Sequence, residues 1–378
     1  MRFALPLLAS LLCITAEAAP RVIHVTRLDD NVRAPELGMF RWAVMQRGER
    51  RVEFKVAGDV MLKDRVQIRH GSLTIDGSTA PAQGVCIRGG SLDFDNAVDV
   101  TLRYLRVRLG DETTRARLKR EKRSRPQGSV GLDCVEIRDC RNVIIEHCSF
   151  SWSCDELLAV TRSHNIIVRD CILSEPLGDK RLHPYGDEHA YAFLASASTL
   201  TVERCLFAHF IMRGPQFEAN DLRRRDNFTV KMVAKNNLIF DYKRSGSRYT
   251  TGPEDYKTEA KGKRYEFVFQ DNLYIAEPTK YGAIERVEKH GTHPGVRVTI
   301  KDNVELPALG NPDRKPWLAE VGCSHQRDAV DTRILDNLMN NRHRPTIDSQ
   351  RDVGGWPDLT RPTPSAPARP NLLQRLFQ

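Results

Sequence analysis

Two short stretches place carboxylates beside strand-like sequence. GLDCVEI (131–137) supplies Asp133, and SFSWSCDELLAV (149–160) supplies Asp155 and Glu156. If these stretches lie on neighbouring coils of one stack, a strand spacing of about 4.8 Å crowds the three acids within reach of one ion. Several hard oxygen ligands completed by water are what Ca2+ prefers; the alternative is that the acids merely cap strands at a polar turn. GDEHAYAFL (186–194) adds His189, which reads equally well as a structural histidine satisfied by backbone. MRGPQF (212–217) adds Arg213, delivered by an apolar run to a Gly-Pro turn. From pattern alone, Arg213 reads as a surface salt-bridge partner rather than a catalyst.

The elements that must position these residues repeat. VIIEHCSF (143–150), IIVRDCIL (166–173) and LTVERCLF (200–207) share alternating aliphatics, two polar residues and a cysteine. The pattern continues with asparagine in the cysteine column, giving Cys148, Cys171, Cys205, Asn236, Asn272, Asn303 and Asn337, with Leu105 preceding them. A unit of one short strand plus turns cannot bury its apolar face alone, but stacked units can. An inward Asn ladder suits such stacking, because each amide can bond its copies above and below. Cysteine fits the same narrow space as a small hydrophobe. The expected fold is all-β, a right-handed parallel β-helix with turn insertions at 111–130, 174–190 and 243–263. Sandwiches and propellers require more regular turn spacing. DNVRAPELGMFRWAV (30–44) is expected to form an amphipathic helix capping the open N-terminal end.

The 378 residues are 40% hydrophobic and 28% charged, which is ordinary globular composition and excludes collagen-like or wholly disordered classes. MRFALPLLASLLCITAEAAP reads as a secretory signal cleaved after Ala18 or Ala19, and no later run is apolar enough to span a membrane. The expected organisation is a signal over 1–19, a β-helix domain over 20–344 and a proline-rich tail over 345–378, in which NLLQRLF can dock as a short helix. The protein is expected to be secreted or periplasmic and to act as a monomer. The net charge is +9, and seven of the eleven residues from Arg115 to Arg125 are basic. Such a run is usually a solvated loop; on an exported protein its alternative points away from nucleic acid and toward an acidic polysaccharide. Of nine cysteines, eight follow the leader. Stacking is the preferred reading for the column, a bridge among Cys134, Cys140 and Cys154 stays open, and the lack of CxxC pairs argues against zinc.

Ordered matches along nearly the whole chain carry a family resemblance. HVTRLDDN with FRWAV, then VEFKVAGDVML, LTIDGSTAPAQGV, VTLRYLRVRLGD, IEHCSFSWSCDE, DEHAY, CLFAHFIMRGPQF, VGCSHQRDAVDTRI and DSQRDVGGWP follow one another in the family's order. The chain resembles the pectate lyase superfamily, in its exported bacterial branch. The resemblance implies a β-helix and a β-elimination on a polygalacturonate-like acidic polysaccharide. In that reaction a base takes the C5 proton of a uronate and the C4–O bond breaks.

The same resemblance implies Ca2+ held by Asp133 and Asp155 with Glu156 as a third ligand. Arg213, matching the arginine of the family's RNPRF segment, becomes the base, and activity should then rise toward alkaline pH. His189 falls where the family carries EHSYGG and is implied in binding substrate or assisting the leaving group. Lys180, Arg181 and His183 on the intervening loop are implied in substrate binding. Departures lie at Ala159, where relatives carry another acid, at Gln216 in place of a second arginine, at Met212, and at AYAFLAS in place of a glycine-rich stretch. The alternatives are a non-catalytic β-helix carbohydrate-binding protein and a glycoside hydrolase on the same scaffold, which needs a spaced carboxylate pair and no calcium.

Overall fold

The computed structural model describes residues 19–219, 229–252, 263–288, 291–310 and 315–359. The expected signal, apart from residue 19, and the NLLQRLF segment lie outside the described residues. Within them the strands form three sheets of ten, nine and eight strands, and every pairing is parallel. Each coil visits the ten-stranded sheet, then the nine-stranded, then the eight-stranded, before rising one rung. Arg141–Glu146, Ser149–Ser151 and Glu156–Thr161 make one such coil. The architecture is the right-handed parallel β-helix.

Alternation explains the coils. In Arg141–Glu146, Val143 and Ile145 point inward while Ile144 and Glu146 are half-exposed. Register stacks Val100, Val143, Ile166, Leu200 and Met232 into one inward row. A one-residue slip would turn that whole row outward, so the apolar pattern fixes the register.

The corner between the ten- and nine-stranded sheets needs only two residues, and their roles differ. Tyr104, His147, Asp170, Arg204, Asn236, Asp271 and Asp302 all adopt left-handed backbone with φ between 50° and 54°. The residue after each one turns inward. Asn237, not Asn236, therefore belongs to the ladder. Its Oδ1 accepts from the Cys205 N–H at 2.9 Å, and its own N–H and Nδ2 donate to Asn272 Oδ1, both at 2.9 Å. Asn272 repeats the arrangement with Asn303. Two adjacent asparagines look alike in sequence, yet one supplies tolerance of the left-handed region and the other supplies amide hydrogen bonds. Asn337 is a further correction. It sits on the helix Ala329–Met339, not on a rung, and its Nδ2 lies 3.1 Å from His209 Nε2.

The eight cysteines of the described residues are buried and free; Cys148 N–H approaches Cys171 Sγ at 3.5 Å, so the column is stacked and unbridged. The capping helix is shorter than expected, Phe40–Met45, because Pro35 and Gly38 (φ +90°) interrupt the preceding segment. Its Phe40, Ala43 and Val44 still cover the open end of the core. The basic insertion holds the helix Glu112–Glu121, anchored by buried Leu118 and Thr114.

The last strand is Val304–Leu306, well before residue 344. Residues 315–359 instead run back along the outer face of the nine-stranded sheet, packing Leu318, Val321, Ile334, Leu335 and Leu338 on Leu206, Leu238 and Phe240. Arg108 on that sheet is buried against Asp328 and Asp331 and locks this segment in place. The corner between the nine- and eight-stranded sheets carries the insertions at 111–130 and 174–190, whereas the stretch 243–263, expected to be a turn insertion, contains the strand Ser247–Thr250 of the eight-stranded sheet. No helix among the described residues is long and apolar enough to cross a membrane.

Candidate active site

Asp133, Asp155, Glu156, His183, His189 and Arg213 all precede or begin strands of the eight-stranded sheet, on its corner with the nine-stranded sheet. Register brings them together. Glu156 pairs with Tyr191, and Tyr191 bridges Met212 one rung on. Leu194 pairs with Gln216. Between those two pairings the Tyr191 strand has two residues and the Met212 strand has three, namely Arg213, Gly214 and Pro215. The extra residue is a bulge, a device that re-aims a side chain.

Arg213 takes a left-handed φ of 72°, and its carbonyl accepts from Phe193 N–H. A side chain at Gly214 would set its Cβ 2.6 Å from the Phe210 ring, so glycine is needed there. The apolar run thus buries Phe210 while the bulge turns Arg213 onto the corner. The guanidinium lies 4.5 Å over the Tyr191 ring and contacts Glu156 Oε1 directly.

Three carboxylates meet beside it. Asp133, Asp155 and Glu156 are all buried, and their nearest ligand oxygens lie within 4.8 Å of one another. Asp133 Oδ1 accepts from the Glu156 N–H at 2.9 Å. Burial, then the charges of Asp155 and Glu156, push the Asp133 pKa well above the usual carboxylate range. Burial and Asp155 push Glu156 up as well, with Arg213 opposing.

Asp155 behaves oppositely: burial opposes its ionisation, but His183 and His189 outweigh that and hold it well below the usual range. His183 Nε2 lies 3.4 Å from Oδ2 and His189 Nε2 3.1 Å from Oδ1. The approach to Oδ1 is close but not aligned, and that buried oxygen has no hydrogen-bond partner. Burial lowers the His189 pKa despite Asp155, which favours the neutral ring. For Arg213, burial lowers the pKa, but Glu156, Glu218 and Asp155 together raise it.

This donor set fits a hard divalent cation. Buried carboxylates repel one another, one oxygen is orphaned, and all ligand types are oxygen. Asp133, Asp155 and Glu156 would hold such an ion.

The loop residues divide. His183 is buried within the cluster, stacked on His189 with centroids 3.6 Å apart. Lys180 and Arg181 are exposed, and Arg181 is tied to Asp179 at 2.8 Å. Ala159 pairs with Glu136 and Leu194, so an apolar methyl stands on the sheet where an acid would extend the cluster.

Sequence reasoning missed Arg248. It pairs in register with Gln216, its Nη1 donates to Met212 Sδ at 2.7 Å, and its Nε lies 2.9 Å from Glu285. Both departures flanking Arg213 therefore contact one arginine from the next rung. The signal was present: Arg248 follows Gln216 by one rung length, as Asn237 follows Cys205. Asp187 was also passed over, although it faces both histidines.

The solenoid and this charged corner define the chain as a polysaccharide lyase of the parallel β-helix class. The protein described as probable pectate lyase C of Aspergillus fumigatus is 32% identical over 374 residues, covering 91% of this chain and 79% of the relative. The chain belongs to the pectate lyase superfamily. Solved structures agree on the fold. Jun a 1, the major allergen from cedar pollen, superposes with a TM-score of 0.51 at 17% identity, covering 76% of this chain and 79% of its own. Pectate lyase Bsp165PelA from Bacillus sp. N165, in complex with trigalacturonate, gives 0.50 at 11% identity, covering 77% and 83%. No family model matches the chain.

Proposed function

We propose that the chain cleaves pectate or a closely related polyuronate by calcium-dependent β-elimination, with Arg213 as the base. One observation carries this reading: three buried carboxylates and a guanidinium, drawn from successive rungs, converge on one corner. The printed functions of the relatives support pectate as the substrate.

A bound calcium ion would neutralise the substrate carboxylate and the negative charge that builds at C5. The chain's own residues do the rest. Asp133, Asp155 and Glu156 supply the ion's oxygens, and His183 and His189 keep Asp155 ionised. Arg213 is held protonated chiefly by Glu156 against the pull of burial. Once Glu156 and Asp155 are committed to another partner, burial favours the neutral guanidine, with Glu218 still opposing. That guanidine takes the C5 proton, the C–H electrons form the C4–C5 double bond, and the C4–O bond breaks. Tyr191 fixes the plane of the guanidinium, and Arg248 extends positive charge toward the next sugar acid.

Both ring nitrogens of His189 face carboxylates, which favours a positioning role through Asp155 over direct help to the leaving group. Lys180 and Arg181 are kept as outer contacts for substrate carboxylates. The apolar N-terminal stretch supports work outside the cytoplasm on an acidic polymer, and a monomer acting without nucleic acid completes the reading. The hydrolase alternative is disfavoured. The relatives this chain resembles are described as pectate lyases, and a hydrolase would leave the guanidinium at this corner without a chemical part.

Incubation with polygalacturonate, with and without a chelator, tests the reading. Calcium-restored ultraviolet absorbance of the unsaturated product is expected. Reducing ends without that absorbance would indicate hydrolysis, and binding without either a carbohydrate-binding protein.

A further inference from the structure

We propose that His183, His189 and Asp155 form a second cation site, suited to a borderline divalent ion of the Zn2+, Mn2+ or Co2+ type. The proposal does not rest on the lyase reading. Two imidazoles six residues apart in HPYGDEH lie face to face, with centroids 3.6 Å apart and planes 10° from parallel. Their Nε2 atoms face the same Asp155 carboxylate, at 3.4 and 3.1 Å. Their Nδ1 atoms both face Asp187 Oδ1, at 3.1 and 3.3 Å. Four ring nitrogens thus confront carboxylate oxygens.

Neutral imidazoles carry only one N–H each, so two of those four nitrogens present lone pairs to an anion. Protonating both rings would instead stack two positive charges in a buried place. A cation between the Nε2 atoms and Asp155 removes the conflict, with both Nδ1–H groups donating to Asp187. A carboxylate behind a metal-bound histidine is the usual way such rings are oriented. Asp155 Oδ1, which His189 Nε2 approaches without alignment, is buried and makes no hydrogen bond, so it is open to a cation on this side.

The three potential ligand atoms already lie within 4.8 Å of one another. The near-parallel rings must fan slightly to converge on an ion, and their loop, with Asp187 half-exposed, leaves room for that. Two imidazoles and one carboxylate suit borderline metals better than calcium, and leave coordination positions open. Tyr191 packs 3.9 Å beneath His189 and Tyr185 sits edge-on to His183, walling the site. Asp133 and Glu156 take no part. Asp155 belongs to both sets, so an ion here either shares that carboxylate with calcium or competes for it.

The test is titration of the chelator-stripped full chain with Co2+, followed by visible absorption, and with Zn2+, followed by calorimetry. One Co2+ per chain is expected, with bands of mixed nitrogen and oxygen ligation. His183→Ala should weaken binding by about 100-fold and Asp187→Asn by about 10–100-fold. Asp133→Asn should leave Co2+ affinity within about threefold, since it removes no ligand of this set. Asp187→Asn, at a half-exposed position, keeps the test decisive if His183→Ala does not fold. Absence of Co2+ binding, parent-like affinity in His183→Ala and Asp187→Asn, or loss of Co2+ binding in Asp133→Asn would each overturn the proposal. None of these readouts involves turnover, so failure of the lyase assay leaves them intact.

Discussion

Replacing Asp133 with asparagine should stabilise the calcium-free protein at alkaline pH while destroying its response to calcium. The amide oxygen introduced by Asp133→Asn can still accept from Glu156 N–H, so the local bond survives. What disappears is a like charge within 4.8 Å of two others. At an effective dielectric of about 20, each such pair costs about 3.5 kcal/mol when both members are ionised. An unfolding entropy of about 2.1 cal/mol/K per residue makes roughly 5 °C of melting temperature equivalent to one pair in a chain of this size. The effect depends on pH in a stated direction. Asp133 and Glu156 have raised pKa values in the folded protein. Their contribution is therefore fully present below the ordinary carboxylate range and is lost as pH rises through the raised values. Asp155, with a depressed pKa, loses its contribution only as pH falls far into acid, and does not interfere. Melting curves in chelator at pH 5 and pH 9 should show little difference between the two proteins at the first pH. At the second, where two such pairs are removed, Asp133→Asn should melt higher by about 9 °C. Added calcium should raise only the parent. A constant difference at both pH values, or a calcium response retained by Asp133→Asn, would refute the picture of three mutually repelling ligands.

Arg213→Ala should lower kcat/KM on polygalacturonate by about 10²–10⁴-fold, and parent activity should keep rising into alkaline pH, because neighbouring acids raise the pKa of this base. Initial rates across a pH series check both. Asn237→Ala orphans the Cys205 N–H and the Val202 carbonyl, and should destabilise by about 2–4 kcal/mol in a denaturant titration. Asn236→Ala should cost about 1–3 kcal/mol, from the strain of a left-handed alanine and the loss of the hydrogen bond that Lys315 Nζ donates to Asn236 Oδ1. Thiol titration should find the described cysteines unreactive until unfolding, since burial raises Cys140 to about 11 and Cys86 to about 12, and a reductant should not shift the melting temperature.

The coils were legible because their signal is redundant. Every rung repeats the same inward aliphatics, so one ambiguous rung does not disturb the stack. Where the signal rested on a single residue type it slipped. The AsnAsn pair offered two asparagines for one column, and only the regular left-handed φ of the preceding residue decides between them. Asn337 fits the same local pattern, yet Asp328 caps the segment by accepting from Val330 and Asp331 N–H, and helix is the outcome. Local pattern could not weigh that cap against a strand.

The candidate site was legible for a different reason. Its members sit at the starts of strands whose register is fixed by the core, so adjacency along the solenoid follows from rung counting. Asp133, Glu156 and Tyr191 lie on consecutive rungs for that reason. Loop residues have no such ruler. His183 and Asp187 are placed by an insertion, and nothing in its spacing says that one ring will stack on His189 while an exposed loop carboxylate spans both. Arg248 lies between these cases. It is on a strand and could be counted, but its contact with Met212 and its ion pair with Glu285 come only from the folded rungs. A solenoid can restore a charge from an adjacent rung, because neighbouring coils lie closer than the reach of an arginine side chain. A substitution in one coil should therefore be judged with the residues one rung above and below before an activity is taken as lost.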